Sequence, residues 1–508
     1  MGRPASTAVP AAPADYVALS WRVALALSGV ALLTRLPFAT MNFYAPDSVL
    51  YARGMAEFDP FDHRPQPPGY LWYILVLRAI DLATHDPNRA MIVVSAQAGA
   101  GTVALVYLLA ARLYDERTAK VSALFLLTAV TFWAYGGVAY PYTLLAALTT
   151  ICALLFWRAV DPARPRARRG LHLVVASVAW GVAIGFRSDL AIFLAPLWLL
   201  AATRATIGSA VLSAGAVAAL VGLWVFASAL ADGGLARFLE AVSMQSTFVN
   251  ERYSVFGNGP IAIYRNTYEL GRFLGRGLYF LLPLVAATIL SVEARRVELR
   301  DRWRTAFMIL WTFAPLPFYV FVHIGEYGYI FTMLPGLAII AARGSIALAK
   351  GLRMPRTFKW LVAAAVLGNA AIFLFSDTPI SARDVARHDR GIDEKTAYLA
   401  SFAPESTQVV TAYDDVLVNY YLHGPPVLRY DPVATPEFTQ PLSCEAAAPR
   451  KPCAGADVDV VLWDDLLRAE GPGWQEVRLP HGGHLRIAHV ARSASLRVSE
   501  GLGVEFVR

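Results

Sequence analysis

An all-α polytopic membrane domain of about eleven transmembrane helices, followed by a small soluble α/β domain, is the fold class this 508-residue sequence predicts. Three observations predict it. The chain is 56% hydrophobic and 16% charged, with a mean hydropathy of +0.46, more apolar than a soluble domain can hide. Apolar runs able, or nearly able, to cross ~30 Å of hydrocarbon recur at 17–39, 91–111, 121–139, 142–158, 171–187, 190–203, 206–230, 275–292, 305–322, 328–346 and 359–376. Beyond residue 376 the pattern changes to short β-branched strands separated by polar turns.

Residues 1–16, rich in Ala and Pro, read as a disordered cytoplasmic tail, and the run that follows as a retained anchor rather than a cleaved signal. The segment 69–83 decides the topology. It is short, follows Pro65, Pro67 and Pro68, and contains Arg78 and Asp81. If it crossed the bilayer, a cytoplasmic N-terminus would put the basic connections at 112–120, 158–170, 293–304 and 347–359 outside. If it lies on the outer surface, all four fall inside. The second arrangement makes 17–376 an eleven-span domain, places 377–508 on the far side, and turns 40–90 into one external loop. Two surface helices are predicted there, near 46–57 and 68–82, separated by the proline-broken "DPFDHRPQPPG".

The formal charge of +7 is dispersed between apolar runs, so it orients the chain in the membrane and gives no nucleic-acid surface. Cys152 reads as a small buried hydrophobe. Cys444 and Cys453 lie on the side where a disulfide can persist. The segment 232–274 is too polar to span and long for a loop; it reads as a cover over a site, with Arg252 or Arg265 facing inward. In the tail domain, "TQVVTAY", "PVLRYD", "DVDVVLW", "HLRIAHV" and "SLRVSEGLGVEFVR" read as strands. There "DDVLVNYYL" reads as a helix with an Asp cap, Asp414 and Asp415 otherwise being placed to touch a sugar acceptor, and the histidines of "HGGH", His481 and His484, which have metal-ligand spacing, as a solvated turn.

Polar side chains gather at the outer ends of the spans: Arg35, Asp47, Asp62, His63, Arg64, Tyr140, Tyr142, Arg187, Asp189, His323, Glu326, Tyr327 and Tyr329. Such a ring suits a substrate with a hydrophobic tail in the outer leaflet and a phosphate and sugar at the interface. Arginine and histidine would hold phosphate oxygens, tyrosines would meet sugar, and one carboxylate would accept a proton from an attacking hydroxyl. No glycine-rich nucleotide-binding fingerprint is present, which agrees with a lipid-linked donor.

The motifs "PDS" (46–48), "HRPQPPGYLWY" (63–73), "GFRSDL" (185–190) and "HIGEYGYIFTMLPG" (323–336), in this order on one face, resemble those of GT-C-type integral membrane glycosyltransferases, particularly the protein O-mannosyltransferase and aminoarabinose transferase superfamily. The resemblance implies a polyprenyl-phosphate-linked sugar donor, inversion at the transferred sugar, and Asp47 as the catalytic base, with a glycan, lipid or protein as acceptor. Two departures stand out: Ser48 follows Asp47 where many relatives have a second acid, and Gln66 precedes the double proline where many have Lys or His. Phosphate binding then shifts to His63, Arg64, Arg187 or Arg265, with Gln66 and Tyr70 in the same site. The turn "VAYPYT" lacks the acidic motif with which some relatives hold a divalent ion, so no metal cofactor is expected, and Glu326 and Asp189 are the residues left that could form such a site. The expected location is a bacterial inner membrane with an extracytoplasmic active site. The competing readings are a lipid or glycolipid transporter or flippase, which would need ionisable groups at mid-bilayer depth, and a non-catalytic glycolipid-binding relative.

Overall fold

The structure is a computed structural model that describes residues 14–354, 356–412, 414–430, 437–444, 453–481, 483–499 and 501–507. The tail expected at 1–16 lies, up to residue 13, outside the described residues. The chain forms two compact units: residues 1–39 with 54–382, and residues 40–53 with 383–508.

The first unit is helical. After α1 (Ala14–Leu33), and beyond α2 (Pro46–Ala56), within which the units divide, come α3 (Leu71–Thr84) and α4 (Pro87–Leu113). Asp86 starts α4 by accepting the amides of Asn88 and Arg89, and Pro87 occupies the turn where no amide partner exists. The run at 121–139 does not form the single span expected. It breaks into α5 (Glu116–Leu127) and α6 (Val130–Ala134), with Ala129 between them in an extended conformation.

Then come α7 (Tyr142–Val160), α8 (Arg166–Phe186), α9 (Leu190–Ala202) and α10 (Ile207–Ala231). The polar stretch that follows folds as α11 (Leu235–Tyr253), α12 (Val255–Asn258) and α13 (Pro260–Leu278), the last running on into α14 (Leu282–Leu290). The unit closes with α15 (Val292–Glu298), α16 (Arg302–Phe313), α17 (Leu316–Phe321), α18 (Leu334–Gly351) and α19 (Thr357–Phe375). Among the described residues nine helical stretches are long and apolar enough to cross a membrane. The 121–139 run and α9 make up the difference from eleven; thirteen residues of α-helix reach only about 20 Å.

Burial sorts these helices. In α7 72% of the most apolar window is buried, so it is the central helix, whereas in α10 the share is 11%. Val211, Leu212, Leu223, Phe226 and Leu230 of α10 are exposed, as side chains facing lipid are. The protein is an integral membrane protein. Its basic connections meet at one end: Glu298 accepts from Tyr114 (3.0 Å) and Arg343 (2.7 Å), Arg204 stacks on Trp303 and Arg117 on Phe358. The tyrosine-rich turns occupy the other end.

In the second unit α20 (Ala382–Leu399) packs beside a five-stranded sheet of order β2-β1-β4-β7-β6, formed by β1 (Thr407–Thr411), β2 (Val427–Arg429), β4 (Asp457–Leu462), β6 (Trp474–Arg478) and β7 (His484–Ala491). α21 (Asp415–Tyr421) connects β1 to β2, and both β2 and β4 run parallel to β1. A smaller sheet takes β3 (Phe438–Pro441), β8 (Ser495–Val498), β9 (Gly503–Val507) and β5 (Arg468–Ala469) in that order. Cys444 and Cys453 are joined by a disulfide. The segment 40–53 is fixed to α20 and α21: the Met41 and Asn42 amides donate to Asp389, the Asn42 side chain to Asp393, and the Phe43 amide to the Tyr421 hydroxyl at 2.7 Å.

Asp414 does not cap α21. Its carboxyl instead meets that of Asp464, which holds the Thr411 hydroxyl (2.6 Å) and the Ala412 amide at the end of β1. Burial, and then the Asp464 charge, push Asp414 up to about 7. A carboxyl raised in the folded state binds its proton more tightly there than in the unfolded chain. Its stabilisation is therefore full below about pH 4 and is lost as pH rises through 7. Asp414→Asn, a fixed mimic of the protonated acid, is expected to stabilise this unit by on the order of 2–4 kcal/mol at pH 8 and to have little effect near pH 4, as read by thermal unfolding at the two pH values.

Candidate functional site

At the tyrosine-rich end of the helical unit, a cleft of about 700 Å³ opens between the Pro67–Tyr70 turn, the end of α8, α10, α11 and the turn after α17. One flank is apolar, with Trp224, Val225, Phe238, Leu239 and Val242 among its lining residues. The other end carries Tyr70, Arg187, Asp189, His323 and Tyr329. The segment read as a cover thus supplies one wall through α11.

Arg187 ends α8 and Asp189 begins α9, so the break between two helices puts both side chains at one point. The Arg187 Nε donates to Asp189 Oδ2 at 2.8 Å, and both side chains are only 11–12% exposed. The guanidinium stacks 4.5 Å from the Tyr329 ring and 5.4 Å from that of Tyr142. Burial opposes its charge, but the Asp189 carboxylate overrides that and holds the Arg187 pKa above the ordinary arginine value. A fixed cation therefore sits in the cleft. His323 differs: burial, with the charges of Arg187 and Arg265 adding to it, lowers its pKa to about 4, so its ring is neutral at pH 7. Its Nδ1 is buried and finds no partner among the described residues.

Behind Arg187 the rings of Tyr135, Tyr140, Tyr142 and Tyr329 follow one another at centroid distances of 6.0, 4.8 and 5.7 Å. Tyr140 and Tyr142, expected to meet substrate, are 2% and 4% exposed and pack behind the cleft. Gly328 makes room for Tyr142 there. A Cβ there would come within 2.0 Å of Tyr142, so Gly328→Ala is expected to displace Tyr142 and Tyr329 together and to cost about 1–3 kcal/mol, measurable as a lower Tm of the detergent-solubilised protein.

The turn that carries Tyr70 is held by contacts that link distant stretches of the chain. Asp59 and Arg64 pair as an isolated antiparallel bridge, and Arg237 of α11 donates to Asp59 (2.9 Å) and to the Asp232 carbonyl (3.1 Å). Arg78 of α3 donates to the carbonyls of Met55 (2.8 Å) and Gly54 (3.0 Å), satisfying the end of α2. Gly69 sits at φ +96°, where a Cβ would strike Phe58 and Pro60.

The remaining expected residues are dispersed. His63 is exposed, and Arg64 is ion-paired with Glu57 at 2.5 Å. Gln66 directly precedes the two prolines that line the cleft. Arg265 stacks on Tyr253 and donates to the Arg252 carbonyl at 2.7 Å. Glu326 begins the turn that holds Tyr327, whose hydroxyl accepts from Arg276. Arg35 is fully buried, its Nη1 donating to the Ala31 carbonyl, rather than snorkelling to the surface. Asp47 belongs to the second unit, in the first turn of α2 and partly exposed.

A helical bundle with basic connections at one end and an arginine-anchored, half-apolar cleft at the other resembles the fold of GT-C-type membrane glycosyltransferases, as the loop motifs suggested. Residues 65–230 match the family model described as dolichyl-phosphate-mannose-protein mannosyltransferase, a stretch that begins at the proline turn and runs through Arg187 to the end of α10. The fold is similar to that of ArnT from Cupriavidus metallidurans in two crystal structures. With the one bound to undecaprenyl phosphate the identity is 16% and the TM-score 0.54, over 95% of this chain and 98% of that one. With the apo state the identity is 16% and the TM-score 0.52, over 94% and 98%. No curated protein sequence matches the chain.

Proposed function

We propose that this protein transfers a sugar from a polyprenyl-phosphate-linked donor to an acceptor hydroxyl on the extracytoplasmic face, with inversion and with Asp47 as base. The observation that carries the reading is the buried Arg187–Asp189 pair at the polar end of a half-apolar cleft. The apolar flank suits the isoprenoid chain, and a guanidinium fork suits the phosphate. The bound lipid of the similar ArnT crystal structure and the description of the matched family agree with such a donor. The basic end would face the cytoplasm, which puts the cleft outside.

In this reading the acceptor oxygen attacks the anomeric carbon while the bond from that carbon to the phosphate oxygen breaks. The electron pair leaves with the phosphate, next to Arg187, and the hydroxyl proton passes to the Asp47 carboxylate. Asp47 lies in the first turn of α2. The scheme calls for no metal, because the leaving charge is met by arginine, and a neutral His323 remains as a hydrogen-bonding partner for phosphate or sugar. The test is incubation of the purified protein with synthetic polyprenyl-phospho-sugars and candidate acceptors: release of polyprenyl phosphate with an inverted product supports the reading, and intact donor under all conditions refutes it.

A further inference from the structure

We propose that the C-terminal unit carries a saccharide-binding site at the carboxyl ends of β1 and β4, taking a neutral, hydroxyl-rich ring. A cavity of about 370 Å³ lies there, within the range of small-molecule sites. Its place in the topology supports this use. β1 runs parallel to both neighbours, with β2 on one side and β4 on the other, so the chain leaves β1 toward one side and later returns on the opposite side. Open α/β sheets bind ligands in the crevice outside the carboxyl ends of the strands at such a switch point. Asp414 follows β1 there, and Asp464 and Asp465 follow β4.

The opposite wall is a single stripe of α20. Asp384, Arg387, His388, Gly391, Ile392 and Lys395 recur at the spacing of one helix face, and all line the cavity. Gly391 is buried, yet a Cβ built on it would meet nothing within 4 Å, so the missing side chain helps leave the cavity open.

The lining selects the ligand class. Four carboxyls against one lysine and one arginine disfavour a phosphate, and the two cations disfavour an amine. Among the described residues no three His, Cys, Asp or Glu side chains converge as a metal would need. Carboxyl oxygens facing cationic donors suit paired hydroxyls, each of which both donates and accepts. Lys395 is already fixed, donating to the Trp463 carbonyl at 2.7 Å and lying 3.6 Å from Asp465, so the array is set before a ligand arrives. That the ring belongs to the acceptor rests on the transfer reading; the binding itself does not.

Saturation-transfer NMR on the full chain in detergent, without donor, tests the site with free D-mannose, D-glucose, D-galactose and their disaccharides as probes. A saturable signal is expected, weakened about tenfold or more both by Gly391→Leu, whose Cβ meets nothing within 4 Å and whose side chain projects into the cavity, and by Asp465→Ala on the exposed rim. No saturable binding, or binding that both variants leave unchanged in protein whose thermal unfolding matches wild type, overturns the proposal. A protein that binds these sugars but never consumes a polyprenyl-phospho-sugar keeps this site and loses the transfer reading.

Discussion

Asp47→Asn is expected to lower the rate of sugar transfer by about 10²–10⁴ while donor binding and thermal stability stay close to wild type. The amide keeps the size and the hydrogen-bonding reach of the carboxylate at the start of α2 but cannot accept the acceptor's proton. The loss therefore falls on kcat at saturating acceptor, with little change in the KM for the donor. Asp47→Glu, which restores a base on a longer arm, is expected to recover part of the rate. Unchanged turnover in the Asn variant would remove Asp47 as the base.

Arg187 gives the second large effect. Arg187→Ala leaves the Asp189 carboxylate buried without its cation, which costs about 3–5 kcal/mol and lowers Tm steeply. The double variant Arg187→Ala/Asp189→Asn removes both charges and is expected to regain most of that stability without regaining activity. Arg187→Lys keeps a charge but loses the planar fork and the stacking on Tyr329, so it is expected to fold and to bind donor about 10–100-fold more weakly. A double variant with wild-type turnover would place the phosphate elsewhere.

Much of this arrangement was legible because its signals are local. The span order follows from hydropathy, and the basic connections that meet around Glu298 were assigned to one side by their charge alone. "GFRSDL" announced a break that brings Arg187 and Asp189 together, and "PPGY" a turn that carries Tyr70. Other features depend on pairings across long stretches of chain. Arg237 reaches Asp59 across 178 residues, Asn42 reaches Asp393 across 351, and Asp414 meets Asp464 across a whole strand order, none with a local pattern to reveal it. Tyr140 and Tyr142 were expected to meet substrate, because the sequence does not show their burial or Gly328 opening a place for Tyr142 in the interior. The 121–139 run reads as one apolar span, and hydropathy does not register the extended residue, Ala129, at which it breaks.

Central to the proposed transfer is a lipid phosphate held by Arg187 in a half-apolar cleft. The most direct measurement compares, on the wild-type protein, the affinity of a polyprenyl phosphate with that of the polyprenol of the same chain length. The account predicts that the phosphate binds at least about tenfold more tightly, as a charge-assisted hydrogen bond to a buried guanidinium requires. Equal affinity for the two lipids would contradict it.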